Sequence, residues 1–367
     1  MTTTTSLSPA EAFPPGEYLA DELEARGWTK AEFAEIIGRP SQVVSEIVNG
    51  HKEITAETAA EIAAATGTEA ATWLNLQSDY RLWQLRQRQG RTAILDDVAR
   101  RARLASLAPV KELRDRGILA GTLDDQEQSL RDLFGVDNLD QAPNFAVAAR
   151  RRSDDAPLTP VQRTWLACAF RMAAGTRRSV AADRSVAEIG STLTRVISGP
   201  DHLAEMPGLL ARAGVILVYV PAFKSSKIDG AAFRSSATPV VAISGRIPRF
   251  DSVLFTVLHE LAHIELGHTV DGYTIDDGDN SDSARTRENA ANKLAGAWAV
   301  GEQFRRPGVI SRSSVIGMAA TIRVHPSIVV GRLQRDGALP WTHLNNLVPN
   351  VREHLRHLET LTSQQAG

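Results

Sequence analysis

Residues 259–268 read HELAHIELGH, and within them His259 and His263 combine residue type and spacing in a way that implies chemistry. In an α-helix, residues four apart lie one turn apart on nearly the same face, so both imidazoles can aim a nitrogen at one point. Glu260 projects beside them, where it could take a proton from a water held on a metal. Two imidazole ligands, a carboxylate base and one open coordination position are the parts of a zinc-dependent peptidase. The same five residues also suit an ordinary structural helix. Asp251 and Ser252 offer it an N-cap, and Val253, Leu254, Val257, Leu258, Leu261 and Ile264 give it a buried side.

A catalytic metal needs a third protein ligand. Glu288 begins the stretch ENAAN on a following helix, and Asn292 lies four residues later on the same face. The carboxylate could complete a two-histidine, one-glutamate site, with Asn292 hydrogen-bonding a ligand histidine from behind. Glu288 could equally be an acidic residue that favours a helix N-terminus. Asp271, Asp276, Asp277, Asp279 and Asp282, in the acidic loop DGYTIDDGDNSDSA, are rival carboxylates. Their spacing lacks the glycine turn of a calcium loop, and the loop reads as solvated. A developing oxyanion needs a further donor. His325, at the start of HPSIVVGRL, is the catalytic candidate if that helix folds back over the metal, and Tyr273 is a weaker one. His325 reads more simply as a helix-start residue before Pro326. His268, just past Gly267, reads as a helix-end residue favoured by the dipole.

The elements that must position these groups divide the chain. It has 367 residues, 43% hydrophobic and 23% charged, enough for two or three domains with ample cores. The single cysteine, Cys168, can form no internal disulfide; it sits among apolar neighbours, reads as a buried thiol and fits a reducing compartment. The first residues have no basic start and apolar core of the kind a signal peptide carries, and AGVILVYVPAF is too short to span a membrane, so a cytoplasmic location is expected. Residues 16–80 carry five helical patterns, with stops at Gly27, Gly38, Asn49–Gly50 and Gly67 and starts at Thr29, Pro40–Ser41, Thr55 and Thr68. Residues 91–175 stay helical, with a soft boundary near 150. VILVYVP, GAAFRSS and PVVAISG then read as strands.

FTVLHELAHIELGH followed by RENAANKLAGAWAV resembles the ImmA/IrrE family of bacterial zinc metallopeptidases, whose pattern is HExxH and then a helix with E-x-x-A-N-x-F-A. HPSIVVGRLQRDG resembles a stretch that follows the catalytic helices there. The resemblance covers about residues 200–340 and departs from the pattern at Leu294 and Ala290. It implies one Zn²⁺ on His259, His263 and Glu288, with Glu260 as base. It also implies a zincin-like, thermolysin-like α+β domain with a small antiparallel sheet.

TKAEFAEIIGRPSQVVSEIVNGHKEITAETAAEIAAATG resembles the Cro/repressor-type helix-turn-helix of HigA-like antitoxins. SQVVSEIV would be the helix that enters the major groove. Arg39, Ser41, Gln42 and Ser45 would contact bases, and Asn49 and Lys52 phosphate. Charge opposes this: residues 1–80 hold four basic and thirteen acidic side chains, 4 − 13 = −9, and Glu46 lies within the recognition helix. Residues 81–120 hold ten basic and four acidic, 10 − 4 = +6, a stretch including Arg81, Arg86, Arg88 and Arg91 that could lie beside DNA or the acidic first domain.

The expected fold is mainly α: a five-helix DNA-binding domain (1–90), a helical linker (91–150), a metallopeptidase domain (151–345) and a tail (346–367). The expected function is a transcription regulator whose zinc endopeptidase cuts a repressor-type protein in a stress or toxin–antitoxin setting. Operator DNA, the protein substrate and a homodimer through the N-terminal domain are the expected partners, with no membrane. The alternative is a non-enzymatic antitoxin or transcription factor whose C-terminal domain is a sensor or partner surface. An intact Glu260 favours the enzyme, because a purely structural zinc site has no use for a base.

Overall fold

The computed structural model describes residues 12–87, 91–143, 158–176, 182–269, 274–275, 282–301 and 304–364. Its contacts divide the chain into two units, Met1–Arg101 and Ala102–Gly367.

The first unit is helical: α1 (Pro15–Arg26), α2 (Lys30–Ile36), α3 (Ser41–Val48), α4 (Ala56–Thr66), α5 (Ala70–Gln87) and the beginning of α6 (Arg91–Leu107). Its boundaries have local causes. Gly27 and Gly67 end α1 and α4 in the left-handed conformation. Thr29 and Glu32 form a reciprocal capping box at α2, and the Thr55 hydroxyl accepts from the Thr58 N–H at α4. Leu19, Leu23, Phe33, Val44, Ile47, Ile62 and Trp73 fill the core. Gly16 lets α1 approach the end of α3, since a Cβ there would lie 2.1 Å from the Ile47 carbonyl oxygen.

The second unit continues with α7 (Val110–Asp115), α8 (Leu123–Phe134), α9 (Pro160–Gly175), α10 (Val186–Val196) and α11 (Met206–Ala211). There follow β1 (Ile216–Tyr219), β2 (Gly230–Ser235), β3 (Thr238–Ile243), α12 (Phe250–Glu265), β4 (Thr274–Ile275) and α13 (Asp282–Val300). It ends with α14 (Arg312–Ile322), α15 (Pro326–Arg335) and α16 (Arg352–Gln364). Among the described residues no single helix is long and apolar enough to cross a membrane.

The mainly helical fold with a small sheet matches the sequence reading, but the sheet is mixed rather than antiparallel. Its order is β1-β3-β2-β4, with β1 parallel to β3 and the other pairs antiparallel. The β2–β3 hairpin turns through two residues between paired Ser235 and Thr238, with Ser236 left-handed at φ 54. This hairpin inserts β3 between β1 and β2, and β1 then runs alongside β3 in the same direction. Alternation along the strands separates two cores. Leu217, Tyr219, Ala232, Val241 and Ile243 pack toward α12, while Val218, Phe233, Val240 and Ala242 pack with Trp165 and Leu166 of α9.

Helix α12 is buried almost throughout. Its N-terminus is satisfied by backbone, not by Asp251 and Ser252 as the sequence suggested: the Phe250 N–H donates to the Pro349 carbonyl at 3.0 Å. Asp251 lies inside the first turn and pairs with Arg249 at 3.1 Å. Helix α13 is pinned against α10 because Gly190 leaves room for the Trp298 ring, which a Cβ would meet at 2.5 Å. The Thr194 hydroxyl donates to the Ala299 carbonyl at 2.9 Å.

Candidate metal centre

His259 and His263 both lie on the buried side of α12, and Glu288 faces them from α13. His259 Nε2 is 3.0 Å from Glu288 Oε2, His263 Nε2 is 3.2 Å from Glu288 Oε1, and the two Nε2 atoms are 3.0 Å apart. Glu288 is the seventh residue of α13, beyond the first turn where the helix dipole rewards an acid. Its position therefore answers to the histidines. Burial alone would raise its pKa, but when the Nε2 atoms of His259 and His263 carry protons, their hydrogen bonds and charge prevail and lower it to about 2. The carboxylate stays an anion, as a metal ligand must.

The donor set fits zinc. Two nitrogens bound to one tetrahedral zinc stand on the order of 3.3 Å apart, close to the spacings found here. The set is two imidazoles and one carboxylate with no thiolate, the composition of hydrolytic sites that keep an open position. His259 Nδ1, on the far side of its ring, is buried without a hydrogen-bond partner among the described residues.

Glu260 is fully buried beside the cluster. It packs against the start of β2, where a Cβ on Gly230 would lie 2.7 Å from Oε1. A cavity of about 250 Å³ runs along the first two turns of α12, bordered by Ser252, Phe255, Thr256, Arg246, Arg335 and Trp341. Thr256, which borders this cavity, is one turn before Glu260, and both side chains approach the Gly230 position.

The remaining sequence candidates fall elsewhere. His325 is the N-cap of α15: its Nδ1 accepts the Ser327 N–H at 3.1 Å. Its ring stands edge-on to Phe250. Phe250 precedes His259 by nine residues, about 13 Å along a helix axis. The structure shows the His325 ring serving the helix terminus, with no hydrogen bond to His259, His263 or Glu288 among the described residues. Asn292 is exposed and makes no hydrogen bond to His259 or His263 among the described residues. Tyr273, Asp271, Asp276, Asp277 and Asp279 lie outside the described residues.

The residue behind His263 is His268, which the sequence reading treated as a helix-end residue. Their Nδ1 atoms are 2.9 Å apart. Gly267 ends α12 at φ 73, the His268 N–H donates to the His263 carbonyl at 2.9 Å and the Gly267 N–H to that of Ile264 at 3.1 Å. Those two bonds define a Schellman cap, which brings the residue after the glycine onto the last turn. The glycine was the legible signal. Burial, and then His263, push the His268 imidazole below its usual pKa.

In the first unit, α2 and α3 form the two helices of the expected motif, joined through Gly38 at φ 67. Ser41, Gln42, Asn49 and Lys52 are exposed and Ser45 half-buried. The Gln42 amide donates to Glu46 at 3.0 Å, and that of Asn49 to Ser45 at 3.4 Å. Arg39 is turned inward, its guanidinium forked on Glu61 at 2.8–3.1 Å. Arg81, from the basic stretch, pairs with Glu53.

The family profile described as helix-turn-helix matches residues 19–73, and the Peptidase_M78 profile, described as IrrE N-terminal-like domain, matches residues 212–304. The chain joins a HigA-like helix-turn-helix domain to an IrrE-like Peptidase_M78 domain. The HigA-like domain is 40% identical over 74 residues to antitoxin HigA-1 of Vibrio cholerae, spanning 20% of this chain and 70% of that protein. Similar solved structures include a HigA-family addiction module antidote protein from Coxiella burnetii, 37% identical, with 20% of this chain and 79% of that one covered and a TM-score of 0.19. Another is the Pseudomonas aeruginosa antitoxin HigA with the higBA promoter, at 32%, 20% and 82%, TM-score 0.20. The IrrE-like domain contains β1 to β4 and both helices of the histidine–glutamate cluster.

Proposed function

We propose that the chain is a transcription regulator whose IrrE-like domain is a zinc-dependent endopeptidase acting on a regulatory, repressor-type protein. One observation carries this reading: His259, His263 and Glu288 converge within 4.8 Å, and the buried Glu260 directly follows the first ligand in sequence. His259, His263 and Glu288 would hold a zinc ion, which when bound would supply Lewis acidity toward water and a peptide carbonyl. The chain's own part is to aim two imidazoles and an anionic carboxylate at one point and to keep a base beside it. Glu260 accepts a proton on a carboxylate oxygen from the water that attacks the carbonyl carbon, and returns it to the amine as the C–N bond breaks. Its burial against Gly230 and Thr256 fixes its orientation.

The HigA-like domain supports operator binding through Ser41, Gln42, Ser45, Asn49 and Lys52, with a homodimer through that domain presenting two such helices. A second reading, an antitoxin or transcription factor without enzymatic activity, draws on the similarity to HigA-1. Metal content and cleavage separate the two. Wild type and Glu260→Gln are assayed for bound zinc and for cutting of repressors encoded by neighbouring genes. The enzyme reading expects near-stoichiometric zinc in both and cleavage only by wild type. Absence of zinc from both would sink it.

A further inference from the structure

A ligand histidine must offer a lone pair on one nitrogen, so the proton of the neutral ring resides on the other. His263 offers Nε2 to the cluster with Glu288, which places its proton on Nδ1. Nδ1 faces His268 Nδ1 at 2.9 Å, and of two such nitrogens one must donate and the other accept. The metal-competent state of His263 is therefore the one in which His263 donates and His268 accepts, with the His268 proton on its Nε2.

We infer that His268 is a positioning residue of the metal centre: it holds His263 in the Nδ1–H tautomer and fixes the ring plane, and the Gly267 cap delivers it there. The inference rests on the zinc reading above. Delivery follows from backbone geometry. The glycine at φ 73 takes a conformation that other residues adopt under strain, and the paired bonds from Gly267 to Ile264 and from His268 to His263 seat His268 on the last turn of α12. The two ligand histidines are thus held differently. His259 Nδ1 has no partner among the described residues, and its ring lies near Phe255, centroids 6.3 Å apart. The functional sequence unit extends from HExxH to HExxHxxxGH.

The test is zinc affinity of the full chain, measured by chelator competition, with Co²⁺ absorption as a report on ligand geometry. His268→Ala is expected to weaken zinc binding about 10- to 100-fold, the usual consequence of losing such a partner. His268→Gln, whose amide oxygen can accept the same proton, should recover most of it. Gly267→Val should weaken binding in the same direction with His268 still present. Melting of the metal-free proteins establishes that each variant folds. Equal affinities across the series, or a Gln variant no better than Ala, would overturn the inference. No zinc on the wild type would overturn it together with the metal-centre reading. Zinc binding that follows this order without any cleavage would sustain it and count against the peptidase alone.

Discussion

Gly230 and Glu260 occupy one another's space: a Cβ on Gly230 would stand 2.7 Å from Glu260 Oε1, and 2.6 Å from Thr256 Cγ2. Glycine inside a strand packs poorly and commonly marks a close approach by another group. Here that group is the proposed base, and the missing side chain makes the pocket in which its carboxylate is set. Gly230→Ala should therefore displace Glu260 while leaving His259, His263 and Glu288 in place. Overpacking of this kind costs about 1–3 kcal/mol. The expected result is retained zinc, a lower melting temperature and at least a tenfold loss of kcat/KM on the cleaved repressor. Unchanged turnover in a folded variant would show that Gly230 does not set the base.

His325 offers a contrast. Its ring caps α15 through Ser327 and packs on Phe250, turns away from the cluster. His325→Ala should cost about 1 kcal/mol of stability, as losing an N-cap does, with kcat unaltered. Thermal melting and turnover checked on the same preparation separate the roles; a fall in kcat with stability preserved would return His325 to the reaction.

Cys168 lies in the core between α9 and the sheet, and burial pushes its thiol up to about 11 from 9.0. The thiolate is the reactive form. At pH 9 only about one native thiol in a hundred is ionised, against about half in the unfolded chain. The sign follows: this group's contribution to stability is complete below pH 9 and is lost as pH rises toward 11. Alkylation by iodoacetamide at pH 8–9 should be slow in the native protein and prompt in guanidinium, which makes this one thiol a reporter of unfolding. Prompt modification of the native protein would contradict the burial.

Much of this arrangement was legible because it is local. The four-residue spacing of His259 and His263 and the caps at Thr29, Thr55, Gly27 and Gly67 depend on neighbours within a few residues, and the structure places each where the pattern implied. Glu288 was one of several carboxylates by spacing, and the family resemblance singled it out. What the residues did not disclose was non-local. The parallel pairing of β1 with β3 depends on where the β2–β3 hairpin inserts, and alternation along a strand is blind to its partner. The α12 N-terminus is satisfied by Pro349, about a hundred residues away, so a capping side chain was inferred where none acts. His268 is the opposite case. Gly267 made its approach to His263 a local signal, which the dipole argument obscured.

The acidic balance of residues 1–80 makes the DNA interface a question of individual residues. Arg39 is engaged by Glu61 on α4, so Arg39→Ala should lower the melting temperature of the first unit more than it alters sequence preference. Lys52 is exposed beyond α3, suited to phosphate. Lys52→Ala should weaken binding to all sequences alike and reduce the slope of log K against log salt by about 0.9. Gln42 must release Glu46 to reach a base edge. Gln42→Ala should cost about 1–3 kcal/mol at a single base position, with the salt slope unchanged. Fluorescence anisotropy across a salt series, using a fragment upstream of the chain's own gene, distinguishes these signatures. Equal behaviour of the two variants would mean that α3 does not enter a groove, and would leave the HigA-like domain as a protein-binding module.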